Sequence, residues 1–221
     1  QGISPLFESN PNTIILELDD FSFTFDKKGM LSLVMKQNAF NVEVVSKKPL
    51  VLDKKLEVLG SVIIKAPRTN NNQEIIAREI IVKGVLVNRG TLLANQLLLQ
   101  HASGHARAIT LDNEQGKIMT RGAGKLFVDH AAINNQHGLI QGQHTQIVAH
   151  AIDNRYGAIT SVEQGVILSK GSIQNQHGCM VCDEQDLRVQ SQLGTITCLN
   201  SGWIKASKGT LIVQANKIIV D

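Results

Sequence analysis

One short pattern, apolar-x-Asn-x-x-Gly-x-apolar, recurs through the second half of this 221-residue chain. The copies are Leu111-Asp112-Asn113-Glu114-Gln115-Gly116-Lys117-Ile118, Ile133-Asn134-Asn135-Gln136-His137-Gly138-Leu139-Ile140, Ile152-Asp153-Asn154-Arg155-Tyr156-Gly157-Ala158-Ile159 and Ile173-Gln174-Asn175-Gln176-His177-Gly178-Cys179-Met180. Their asparagines are 22, 19 and 21 residues apart. Looser copies flank them at Leu86-Val87-Asn88-Arg89-Gly90-Thr91-Leu92 and Leu199-Asn200-Ser201-Gly202-Trp203-Ile204, with one residue fewer between Asn and Gly. Between the turns lie short apolar runs such as Lys125-Leu126-Phe127-Val128 and Gln146-Ile147-Val148-Ala149. A period near 20 residues, built of strands and turns with no helical spacing, is too short for a propeller blade and wrong for helical repeats. It predicts an all-β solenoid whose coils stack about 4.8 Å apart and share one core.

Each part of the pattern then has an expected job. Gly116, Gly138, Gly157 and Gly178 are expected to supply a positive φ at the turn, which other residues adopt at a cost. Asn113, Asn135, Asn154 and Asn175 are expected to tolerate the left-handed region, to bond nearby backbone, and to stack as an amide ladder that sets register. Ile133, Ile140, Ile152 and Ile159 are expected to point inward in two columns. A leucine-rich repeat shares the length, but it wants Leu-x-x-Leu-x-Leu ending in Asn, and here a Gly follows the Asn.

These copies, each followed by a strand of the Leu-x-Val or Ile-x-Leu kind, resemble the repeats of the filamentous haemagglutinin family of large exoproteins. That family includes adhesins and contact-dependent growth-inhibition proteins. The resemblance covers roughly residues 80 to 215. It implies a right-handed parallel β-helix and a non-enzymatic scaffold on the surface of, or secreted by, a Gram-negative bacterium through a partner transporter. The implied partner is a protein or glycan of a host or bacterial cell surface.

The chain before the repeats is composed differently. All four prolines and five of six phenylalanines precede residue 70, while all seven histidines lie between His101 and His177. Phe21, Phe23 and Phe25 alternate with polar residues, Asp26-Lys27-Lys28-Gly29 intervenes, and Leu31 and Leu33 resume the alternation, which reads as a β-hairpin. The polar run from Arg68 to Gln73 reads as a seam. The expected organisation is a β-rich cap or extension over residues 1–70 and a β-helix of six or seven coils over 71–221.

Composition narrows the function classes. With 43% hydrophobic and 19% charged residues the chain is neither disordered nor a membrane-helix protein. A net charge of +3 is too small to argue for nucleic acid. The N-terminus lacks a signal-peptide pattern, and Gln1 in place of Met reads as a processed or excised piece.

Four sets of residues raise chemical questions. Cys179, Cys182 and Cys198 are an odd set, so at least one thiol is free of any intrachain disulfide. Cys179-Met180-Val181-Cys182 with His177 has the spacing of half a zinc site, but no second well-spaced pair completes it, so the expected role is small reduced core or turn residues. Reduced thiols also suit an alternative reading, a bacterial effector that uses the β-helix to bind protein inside a host cell. His137 and His177 share one place in two Asn-Gln-His-Gly turns, and His130 and His150 are expected to face each other on adjacent coils. Asp112, Asn134, Asp153 and Gln174 precede the repeat asparagines, so acids alternate with amides, unlike the gathered carboxylates of pectin-cleaving β-helices. Gly122-Ala123-Gly124-Lys125 is expected to turn the chain rather than to cradle phosphate. No catalytic residue, cofactor or metal ligand is assigned.

Overall fold

A computed structural model of the chain describes residues 5–6, 13–18, 41–101 and 108–221. Among them all regular structure is strand, and the strands pair in parallel except Pro5–Leu6, which runs antiparallel to Thr13–Leu18. The proposed hairpin over residues 21–33 lies outside the described residues.

Inward residues stack in three columns, one for each face of a coil. The face before the turn carries Leu50, Thr69, Leu86, Leu111, Ile133, Ile152, Ile173, Ile196 and Ile218 in register. The face after the turn carries Leu56, Ile75, Leu92, Ile118, Ile140, Ile159, Met180 and Ile204. The third face carries Val44, Ile64, Val82, Leu99, Val128, Ile147, Ile167, Val189 and Val213. The result is a parallel β-solenoid of about nine coils. Ile133, Ile140, Ile152 and Ile159 are buried in the two expected columns.

The coils begin well before residue 71. Val42, Val44, Leu50, Leu52 and Leu56 belong to the same apolar core as the repeats, which accounts for nine coils where six or seven were expected. The polar run at 68–73 is no seam. Residues up to Asn71 close the strand Ser61–Asn71, with Thr69 and Asn71 turned inward and Arg68 and Asn70 outward. Period-two alternation was masked there because both inward residues are polar. The earliest coils also lack the Asn-x-x-Gly turn: Leu52 occupies the level below Asn71.

Corners absorb the differences in coil length. The register of Lys117–Asn134 against its neighbours shifts between Thr120 and Lys125. There Gly122 takes a φ of +62° with nothing near its missing side chain, so the Gly-Ala-Gly-Lys segment does turn the chain. The last coil stacks on a single described neighbour, and Leu211, Ile212 and Val220 are exposed along its open edge.

Candidate functional site along the Asn-Gly turns

Each Asn-x-x-Gly segment closes on itself through a hydrogen bond from the glycine N–H to the asparagine carbonyl, 3.1 Å long in all four repeats. A bond from the fourth residue to the first defines a β-turn, and one left-handed residue in third place is the mark of type II. That third place holds Gln115, His137, Tyr156 and His177, with φ between 54° and 58°. The expected positive φ at Gly116, Gly138, Gly157 and Gly178 is therefore corrected: it falls one residue earlier, and none of Asn113, Asn135, Asn154 and Asn175 has a positive φ, whereas Asn200 of the looser last copy does, at 54°.

The glycines are needed for a different reason. A Cβ on Gly138 would lie 2.1 Å from the carbonyl oxygen of Asn113, and one on Gly157 would lie 2.0 Å from that of Asn135. The same collision with the preceding coil occurs at Gly116 and Gly178. Stacking distance rather than turn conformation excludes a side chain.

The asparagines form the expected ladder, extended at one end. Asn71, Asn88, Asn113, Asn135, Asn154 and Asn175 are fully buried, and each Nδ2 donates to Oδ1 of the next at 2.7 to 2.8 Å. The second Nδ2 hydrogen of Asn113 is shared by the carbonyls of Gly116 and Leu139, both at 3.2 Å. Asn175 ends the series on Cys198 Sγ at 3.5 Å. Register pairs Thr197 with Gln174, so Cys198 is the next rung and Asn200, aligned with the repeats in sequence, lies two residues beyond it.

Outside this ladder runs a second one that faces solvent. The rings of His137 and Tyr156 stack at 5.0 Å between centroids, and those of Tyr156 and His177 at 4.6 Å, nearly parallel in both cases. Tyr156 was not singled out from sequence, although it occupies the histidines' place in the repeat alignment. Bulky left-handed residues in consecutive coils cost energy that a purely structural turn avoids with Gly or Asn.

Beside the stack lies an open groove of about 360 Å³. Its floor is the column just past the turn glycines, Leu139, Ala158 and Cys179, and Trp203 closes one end while Lys117 and Gln115 stand at the other. The small residues Ala158 and Cys179 between Leu139 and Trp203 create the depression. Trp203 stands in the last looser copy but was given no role from sequence, because the turn ahead of it, Leu199-Asn200-Ser201-Gly202, departs from the template.

The remaining candidates are dispersed. Among the described residues no three His, Cys, Asp or Glu side chains converge. Cys179 is half-buried in the groove floor, where burial raises its thiol above the ordinary value. Cys182 is buried at a corner with its sulfur 3.3 Å from the Glu163 carbonyl, and Cys198 ends the amide ladder. The expected facing of His130 and His150 is corrected: His130 is level with Ala149. His130 is buried, its Nδ1 lies 3.0 Å from Thr110 Oγ1, and its ring centroid is 6.2 Å from that of His101. Burial, reinforced by His101, lowers its pKa to about 3.

Asp112, Asn134, Asp153 and Gln174 do stack in register. Arg89 holds Asp112 at 2.5 Å and Arg155 holds Asp153 at 2.7 Å. Burial alone would raise the Asp112 carboxyl, but hydrogen bonds from Arg89, the Glu114 N–H and Asn134, with the Arg89 charge, hold it below its ordinary value. Two arginine-bound carboxylates separated by an amide rung, roughly 10 Å apart along the axis, do not form an acid–base pair.

No protein-family model, no curated protein and no solved structure matches the chain.

Proposed function

We propose that this chain is a non-enzymatic adhesive scaffold, a β-helical part of a bacterial surface or secreted exoprotein of the filamentous haemagglutinin kind, which binds host or neighbouring cells. The observation that carries the reading is the solvent-facing stack His137–Tyr156–His177, held on successive coils at positions of backbone strain beside an open groove. A rigid solenoid repeats one surface at coil spacing, so a weak contact made at one coil is made again at the next. Among the described residues no three His, Cys, Asp or Glu side chains converge on that surface. The test is direct: surface-immobilised chain should retain host epithelial cells or bacteria above the level of heat-denatured chain, and equal retention would refute the reading.

A second reading, a scaffold delivered into a host cell, is favoured by the three unpaired cysteines. Thiol titration of protein taken from its native compartment separates the two, because an intracellular scaffold retains three titratable thiols.

A further inference from the structure

We infer that the groove beside the His137–Tyr156–His177 stack binds an acidic polysaccharide chain of uronic-acid sugars, laid along the solenoid axis. The inference rests on the adhesive reading and names its partner.

Charge selects an anion. Lys117 brings an ammonium to the groove, His137 and His177 bring imidazole edges, and no Asp or Glu is among the described residues that line it. Glu114 and Asp153, on the same edge of the coils, are engaged by Arg89 and Arg155. An anion therefore meets the Lys117 ammonium and imidazole edges without an opposing carboxylate.

Backbone bonding selects a sugar over a peptide. An extended peptide binds a β-surface through free main-chain donors and acceptors. Here the N–H groups of Lys117, Leu139, Ala158, Cys179 and Trp203 each donate 2.9 Å bonds to a carbonyl of the preceding coil. Beyond those occupied N–H groups the groove presents side chains: an indole, a phenol, two imidazole edges, the Gln115 amide, the Cys179 thiol and an ammonium. Tyr156 is 53% exposed and Trp203 49%. Faces within the stack cover one another, so its polar edges point outward, whereas the half-exposed indole of Trp203 can lie against the C–H face of a sugar ring. Hydrogen-bonding edges recur at coil spacing along an open, linear trough, which suits a polymer and not a single enclosed small molecule.

Calorimetric titration of the full chain with hexagalacturonate tests this. Binding should weaken about tenfold or more in Trp203→Ala, which removes the stacking face, and in Ala158→Glu, which raises a like charge from the floor. Arg188→Ala, on another face, should bind within about twofold of the parent, and neutral maltohexaose should bind at least about tenfold more weakly. Thermal melts check that the variants fold. Absence of hexagalacturonate binding, affinity unchanged in both groove variants, or equally tight binding of hexaglutamate through the same residues would each overturn the proposal. Cell retention that survives in the two groove variants would overturn the groove while leaving the adhesive scaffold standing. Loss of retention by the parent chain with oligosaccharide binding intact would do the reverse.

Discussion

The side-chain amide of Asn135 donates to Oδ1 of Asn154 at 2.7 Å, across 19 residues of sequence and one coil of the solenoid. The same bond repeats from Asn71 to Asn175, always with the donor on the N-terminal side, so the ladder is a polar spine inside an apolar core. A buried amide is tolerated only where its donors and acceptor are occupied. Here each middle rung satisfies the rung on either side.

Removing one middle rung should therefore cost more than one hydrogen bond. In Asn135→Ala, Asn113 loses an acceptor and Asn154 a donor, each stranded group costing about 1–3 kcal/mol. A loss above about 2 kcal/mol is expected in urea unfolding. A midpoint like that of the parent would show that the ladder adds nothing to stability.

The end of the ladder offers the opposite experiment. Thiol sulfur is a weak acceptor, and Asn175 meets Cys198 at 3.5 Å. Cys198→Asn places a seventh amide on the series and should stabilise the chain by about 0.5–1 kcal/mol, seen as a higher melting temperature. Destabilisation would mean that the last rung lacks room for an amide.

Two glycines should respond differently to alanine. Gly157→Ala forces a Cβ to within 2.0 Å of the Asn135 carbonyl, so coils must separate and more than about 2 kcal/mol should be lost. Gly122→Ala meets nothing within 4 Å and should cost only the left-handed backbone penalty, about 1 kcal/mol. Equal losses would reduce both glycines to backbone conformation alone.

Acid should destabilise the solenoid through His130. Its folded pKa is about 3 against 6.5 for the free side chain, so between these values the unfolded chain holds a proton that the folded chain excludes. The sign follows: the folded state is unpenalised above pH 6.5 and loses stability as pH falls from there toward 3, at up to about 1.4 kcal/mol per pH unit. His130→Gln should flatten the dependence of the urea midpoint between about pH 4 and 6 by close to one proton. Parallel profiles for parent and variant would exclude His130 as the source.

The period near 20, the inward isoleucine columns and the Asn rungs at 113, 135, 154 and 175 were legible in the sequence, because alternation along a strand and a four-residue turn are local properties of the chain. What needed the tertiary structure was every effect imposed by the neighbouring coil. The demand for Gly138 arises from the Asn113 carbonyl, 25 residues away in sequence, so local turn rules assigned the glycine its right importance for the wrong reason and left the left-handed backbone of His137 unseen. Asn71 looked like solvent-facing turn material and Cys198 like an ordinary core thiol until stacking placed both on the spine. Tyr156 and Trp203 became neighbours of one groove only when coils of unequal length were brought into register. The repeat length determined that the coils would stack, and the stacking decided which side chains meet.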